Sequence, residues 1–305
     1  MKQRFAKRRL LPGLFTAVVL LNVALGLLTL NFVQADTVTP RRERPARVVV
    51  ISLDGARPDA LLMAETPNLQ ALAARGAYTW TASTTFPPVT IPAHSSILTG
   101  LDTSEQGVTW NEYRAEPIDT PTFLSLAADV GYTTAMVVGK EKFEQFRQRD
   151  SMQYVFARQG DRSVVDQAVA WIEGGVEVMF VHFPNPDYFG HSTGWMSDTY
   201  LEMLYTTDQQ IGRIIEALEA EGVFEDTLLI ITADHGGHEL VHGSDIPEDM
   251  LVPFLITGPG VEAGLELRQA VTNTDAAMTV LWALGLPLPE SEIGRPVLEA
   301  FGRGS

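Results

Sequence analysis

A nearly continuous run of β-branched and apolar residues, Val48-Val49-Val50-Ile51-Ser52-Leu53, closes abruptly on Asp54-Gly55. A strand with no polar face must be covered on both sides, as parallel strands inside an α/β sheet are. The chain repeats this theme. Residues 133–138, 176–183, 228–232 and 252–257 read as further strands. Thr66-Pro67 and Thr120-Pro121 each supply an N-cap and a proline at the first helical position, and Gly76 and Gly131 close the two helices. Residues 162–173 and 275–284 read as helices too. So do residues 197–222, with Leu201, Leu204, Ile211, Ile214, Ile215 and Leu218 along one face. Strands and helices in alternation predict an α/β fold, a three-layer α/β/α sandwich on a mostly parallel, doubly wound sheet, as one domain over residues 47–305.

Ligands of such sheets bind beyond the carboxyl ends of the strands. Asp54, Asp187 and Asp234 each fall at or just past such an end, so three carboxylates are expected on one sheet edge. Asp187 and His191 occur as DYFGH in a Pro-rich loop, a spacing that lets a carboxylate and an imidazole turn toward one ion. In TADHGGH, Asp234 and His235 are adjacent at a strand end. Gly236 and Gly237 permit close backbone approach there, and His238 and His242 follow closely. With no cysteine in the chain, disulfides and thiolate ligands are excluded, and a metal site must use histidine and carboxylate.

The stretch FPPVTIPAHSSILTG sets the hydroxyl of Thr90 between a Pro-rich turn and a short helix. Pro92 suits a first helical position, and a helix starting there directs free N–H groups and its positive end at a bound phosphate. Thr90 is therefore read both as a helix cap and as a candidate nucleophile. His94 and His182 are left outside the metal site, because the first lies inside the expected helix and the second inside a strand. Trp110, Tyr188 and Trp195 flank the motifs and are candidates for pocket lining or packing.

The first 35 residues differ from the rest. Lys2, Arg4, Lys7, Arg8 and Arg9 precede an apolar run from Leu10 to Val33, and Val33-Gln34-Ala35 offers a small-residue cleavage site. This is an export signal, cleaved after Ala35 or kept as a signal anchor, since the run is nearly long enough to span a bilayer. A polar, arginine-rich linker over residues 36–46 follows. Without the five basic residues of the leader, 17 basic side chains of the 22 face 38 acidic ones, a formal charge of −21. That balance disfavours nucleic-acid binding. An anionic substrate can collect here only where local positive charge, such as bound metal, outweighs the overall field.

Six pieces, VVVISLDGARPD, FPPVTIPAHSSILTGL, GVTWNEY, NPDYFGHSTGW, TADHGGHELVHGSD and VPFLITGPGV, stand in one order across the exported part. Together they resemble the alkaline phosphatase superfamily, and within it the nucleotide pyrophosphatase/phosphodiesterase family. The resemblance implies two zinc ions, one held by Asp187, His191 and His242 and the other by Asp54, Asp234, His235 and the Thr90 oxygen. It implies that Thr90 attacks phosphorus to give a covalent phosphothreonine, that Asn111 contacts a phosphoryl oxygen, and that the substrate is a small nucleotide or phosphodiester. The chain departs from the family at Ile91, where many nucleotide-cleaving relatives carry a base-stacking aromatic, and at Asn185-Pro186. The same fold is compatible with a phosphomonoesterase, which needs one more positive group for the third phosphoryl oxygen, or with a phospho-headgroup transferase. A sulfatase would need a modified cysteine or serine where Thr90 stands, and a catalytically silent binding module would not need the full ligand set.

Overall fold

The computed structural model describes residues 44–303; the expected leader and most of the linker lie outside them. Eight strands, β1 (Arg47–Leu53), β2 (Ala77–Ser83), β3 (Thr134–Val138), β4 (Gln153–Phe156), β5 (Val178–Phe183), β6 (Thr227–Thr232), β7 (Leu251–Thr257) and β8 (Leu265–Glu266), form one sheet. Their order is β4-β3-β5-β1-β6-β7-β2-β8. The five strands from β4 to β6 run parallel. β7 is antiparallel to both neighbours, β6 and β2, so β2 points the same way as the parallel block.

The helices are α1 (Pro58–Met63), α2 (Pro67–Arg75), α3 (Thr90–Thr99), α4 (Thr103–Gln106), α5 (Phe123–Asp129), α6 (Asp161–Glu173), α7 (Asn185–Thr193), α8 (Asp198–Ala220), α9 (Pro247–Met250) and α10 (Asp275–Leu284). Every residue of β5 and β6, and all of β1 after Arg47, is buried, as their unbroken apolar sequences require. α3 and α10 pack on one another, and every residue of α3 is buried. α6 and α8 pack together, and α8 turns an apolar stripe that includes Leu204, Ile211, Ile214 and Leu218 inward. The α/β/α sandwich and its mostly parallel sheet are as expected.

Three local expectations change. Residues 185–193 are helical rather than loop, with Pro186 tolerated in the first turn, where its missing N–H has no partner to lose. Thr90, not Pro92, is the first residue of α3. Its N-cap is Val89, and no side-chain cap bond is made, so the Thr90 hydroxyl is not spent on capping. The helix after Thr120 begins later, at Phe123. Thr122 is its N-cap and receives the Ser125 N–H. β2 was not anticipated. Its sequence AYTWTAS alternates buried and partly exposed positions and carries no carboxylate at its end. Among the described residues no helix is long and apolar enough to cross a membrane.

Candidate metal centre

Asp54 follows β1, Asp234 follows β6 by two residues, and Asp187 lies in the first turn of the helix entered from β5. Parallel pairing of β5, β1 and β6 puts these ends side by side. Gly55, at φ 72°, lets the turn after Asp54 run against α7, because a Cβ there would lie 2.9 Å from the Asp187 Cα. The Gly55 and His235 N–H groups both donate to Asp234 Oδ1, each at 3.0 Å, which leaves Oδ2 for another partner.

The side chains gather into two sets, Asp187 with His191 and His242, and Asp54 with Asp234 and His235. Within each set the potential ligand atoms lie within 4.8 Å of one another. Asp187 Oδ1 faces His191 Nε2 at 3.3 Å and His242 Nε2 at 3.6 Å. His235 Nε2 faces Asp234 Oδ2 at 3.2 Å and Asp54 Oδ1 at 3.5 Å. The His235 and His242 rings stack with centroids 3.7 Å apart and join the two sets.

Two observations show that these residues fit a metal ion. Asp54 Oδ1, Asp187 Oδ1, Asp234 Oδ2 and His235 Nε2 are all buried without a hydrogen-bond partner, an arrangement costly for polar atoms that nothing else satisfies. Each histidine of the two sets also sets its Nδ1 against a backbone carbonyl. His191 reaches Leu240 O at 2.8 Å, His235 reaches Gly236 O at 2.7 Å and His242 reaches Pro88 O at 2.9 Å. A carbonyl only accepts, so each Nδ1 donates its N–H, and Nε2 is the nitrogen turned toward the set.

Lys140 was not singled out in the sequence, although it follows β3 by two residues on the same carboxyl edge. Its Nζ lies 2.6 Å from Asp54 Oδ2, 2.6 Å from Asp187 Oδ2 and 3.4 Å from Thr90 Oγ1. It therefore touches one carboxylate of each set and the candidate nucleophile. Burial opposes ionisation of Asp54, but Lys140 and the His182 hydrogen bond outweigh it and hold the carboxyl well below the usual range. Asp187 and Asp234 are likewise held low against their burial, Asp187 by Lys140 and His191, Asp234 by His235 and His94. Burial acts against the Lys140 charge as well, yet Asp54 and Asp187 raise its pKa above the ordinary lysine value. Burial pushes His242 down to about 4. The Asp187 carboxylate beside it raises His191, so a metal ion there competes with a proton.

Thr90 is 1% exposed at the start of α3. Asn111 Oδ1 accepts the Ile91 N–H at 3.0 Å, so that first-turn amide is taken and is not free for an anion. The bond ties Asn111 to the neighbour of the candidate nucleophile and leaves its Nδ2 as the group able to donate to a ligand. His94 and His182, set aside earlier, are fully buried behind the site. His94 Nδ1 reaches Thr90 O at 2.7 Å and lies 3.2 Å from Asp234 Oδ2. His182 Nε2 reaches Asp54 Oδ2 at 2.7 Å. Neither joins a set, but each touches a carboxylate that does. His238 stands apart, with Nδ1 2.7 Å from Asp249 Oδ1. Trp195 is buried and packs between α7 and the Gly236-Gly237 turn, whereas Tyr188 is 66% exposed.

A mixed sheet with two His/Asp sets on its carboxyl edge defines a fold of the alkaline phosphatase superfamily, of the sulfatase and nucleotide pyrophosphatase kind. The chain belongs to the sulfatase family, whose model, described as Sulfatase, matches residues 47–286. It is 33% identical over 150 residues to the 2,3-bisphosphoglycerate-independent phosphoglycerate mutase of Synechococcus elongatus, a match that takes in 45% of this chain and 27% of that protein. The chain thus spans little more than a quarter of that relative's length. Solved structures that share its fold include two of particular note. A 2-O GAG sulfatase superposes with a TM-score of 0.72 at 17% identity over 86% of this chain and 75% of that one. Murine ectonucleotide pyrophosphatase/phosphodiesterase 5 superposes with a TM-score of 0.71 at 15% identity over 85% of this chain and 100% of that one.

Proposed function

We propose that the protein is an exported, metal-dependent phosphoric ester hydrolase that cleaves phosphodiester or pyrophosphate bonds through a covalent phosphothreonine on Thr90. The observation that carries this reading is the position of Thr90 Oγ1, 3.4 Å from an ammonium that itself contacts Asp54 of one set and Asp187 of the other. Asp187, His191 and His242 would hold one zinc ion, and Asp54, Asp234 and His235, with the Thr90 oxygen, the second. Bound zinc supplies Lewis-acid chemistry, lowering the pKa of a hydroxyl and stabilising a leaving oxygen.

Thr90 Oγ1, its proton lost to solvent, forms the new bond to phosphorus while the bond to the leaving oxygen breaks and that oxygen departs with the electron pair. Water then displaces Thr90, so two in-line steps retain configuration at phosphorus. Asn111 Nδ2 donates to a phosphoryl oxygen whose charge grows in each step, held in aim by the Ile91 N–H on its Oδ1. His94 Nε2 accepts from the Ser52 hydroxyl at 2.8 Å, and its Nδ1–H donates to the Thr90 carbonyl, which fixes the nucleophile's own peptide. The leader over residues 1–35 directs the chain out of the cytoplasm, as a cleaved signal or an anchor, and the acidic remainder keeps nucleic acid away. A phosphomonoesterase on the same fold is the second reading, favoured by the presence of two lysines at the site.

The experiment is acid quench of zinc-loaded protein during turnover of a chromogenic phosphate ester, with mass spectrometry of the peptide that contains Thr90. Phosphate on Thr90, and loss of at least about 1,000-fold in kcat for Thr90→Ala, is the expected result. Full activity in Thr90→Ala overturns the proposal.

A further inference from the structure

Lys142 lies in a 3₁₀ turn over Glu141–Phe146, two residues beyond Lys140. Phe143 and Phe146 of that turn are fully buried, and Gln145 Nε2 donates to Lys142 O at 2.7 Å, so the turn is anchored from beneath. Lys142 Nζ donates to Asn111 Oδ1 at 2.8 Å and to Asn111 O at 3.3 Å. These are neutral acceptors, and among the described residues the third N–H has no partner. Among the described residues no carboxylate forms an ion pair with Lys142, whereas Lys140 is held by two. Burial, with Lys140 adding to it, pushes the Lys142 ammonium down to about 8. A partly buried cation without a counter-ion is unfavourable until an anion reaches it.

The charge balance says which anion. Three carboxylates, Asp54, Asp187 and Asp234, together with an ionised Thr90, equal the charge of two divalent cations. His235 at the second metal position, and His191 and His242 at the first, are counted as ligands that add no charge. Once Asp54 and Asp187 serve the metals they no longer offset Lys140, so the ammonium groups of Lys140 and Lys142 remain, and they match a phosphoryl group with two negative charges rather than the single charge of a diester.

We infer that Lys142 is a specificity-determining residue that holds the third oxygen of a dianionic phosphoryl group, so that the preferred substrate is a phosphate monoester or the terminal phosphoryl of a pyrophosphate. The inference rests on the phosphothreonine reading and, within it, selects the phosphomonoesterase or pyrophosphatase substrate class over the phosphodiester. Asn111 and Lys142 act as a pair, with the carboxamide taking one oxygen and the ammonium another.

The test compares full-length, zinc-loaded wild type with Lys142→Met and Lys142→Arg on 4-nitrophenyl phosphate and bis(4-nitrophenyl) phosphate. Because Lys142 also steadies Asn111, both activities fall in Lys142→Met, and the ratio of the two is the readout. The expected result is a wild-type preference for the monoester in kcat/KM. Lys142→Met loses about 10- to 100-fold of that preference, the usual scale of a charge-assisted hydrogen bond, and Lys142→Arg keeps most of it. A wild type that prefers the diester, or a ratio unchanged in Lys142→Met, overturns the inference. Calorimetric binding of inorganic phosphate to the same zinc-loaded proteins judges Lys142 without turnover. Weakening by about tenfold or more in Lys142→Met supports it, and equal affinity overturns it. Absence of phosphate on Thr90 would count against the phosphothreonine reading alone, so the two failures are distinguishable.

Discussion

His182 donates from Nε2 to Asp54 Oδ2 at 2.7 Å, and the direction of that bond is set by its other nitrogen. The Gly139 N–H points at His182 Nδ1 from 3.1 Å, so Nδ1 accepts and the proton resides on Nε2. Burial keeps the ring neutral by pushing its pKa down to about 4. One imidazole thus fixes a carboxylate of the Asp54 set and the peptide just before Lys140. Phe143 packs on it with centroids 4.3 Å apart, which holds the ring in place.

Replacing His182 by Phe should weaken zinc binding at the Asp54, Asp234 and His235 set by about 10- to 100-fold, the usual effect of losing the group that orients a ligand. Competition against a chromophoric chelator measures it. Unchanged affinity in a folded variant would show that Asp54 needs no such support.

Lys140 occupies the gap between Asp54 and Asp187 with contacts of 2.6 Å to each. In metal-free protein, Lys140→Met leaves both buried carboxylates facing one another, at a cost on the order of 3 kcal/mol. Differential scanning calorimetry should show a lower Tm for the metal-free variant and a larger rise on adding zinc than in the wild type. Equal stability of the two metal-free proteins would sink the assignment.

Gly190 on α7 and Gly237 after β6 close on the two sides of the Trp195 ring, where an added Cβ would lie 2.3 Å and 2.2 Å from ring atoms. The indole N–H donates to Gly55 O at 2.9 Å, so this one ring ties together all three segments that carry the site aspartates. Gly190→Ala must displace the ring. The expected loss is about 1 to 3 kcal/mol of stability from overpacking, with weaker zinc binding at the Asp187 set. Equilibrium urea denaturation and zinc titration of the variant read the two effects separately.

Asp161 joins α6 to the site from a distance. Its Oδ1 accepts the Asn185 N–H at 3.0 Å at the start of α7, and its Oδ2 accepts from Thr207 Oγ1 at 2.7 Å on α8. Burial raises its pKa from the ordinary 3.8 to about 7, and these hydrogen bonds only partly oppose that. The folded state then keeps a proton that the unfolded chain releases, so this contribution to stability is complete below about pH 4 and is lost as pH rises to about 7. Asp161→Asn, whose carboxamide can bond both partners, should flatten the fall in urea midpoint between pH 4 and 7. An unaltered slope would place the proton elsewhere.

Much of the site was legible because it follows a local rule. Asp54 and Asp234 each terminate a strand too apolar to lie anywhere but the sheet centre, and polar residues at such ends must face the edge where ligands bind. Asp187 and His191 were found by spacing, although their segment is a helix in which residues four apart share one face. Lys140 obeys the same strand-end rule after β3 but belongs to a residue type not sought in a metal site. Asn111, by contrast, was singled out only through family likeness, since the loop that carries it has no periodicity to read.

The sequence by itself determined the layered α/β fold, the sheet edge and the His/Asp chemistry gathered there, because hydrophobic periodicity and strand-end position are local properties of a chain. Tertiary structure alone decided which ring nitrogen each histidine presents, that His94 and His182 brace the site from behind, and that Lys140 is neutralised by two carboxylates while Lys142 has none. It also decided the reversed direction of β7 and the insertion of β2 beside it. Hydrogen-bond direction and charge pairing depend on groups far apart in sequence, such as Asp54 and His182, 128 residues apart, and those meet only when the sheet has formed.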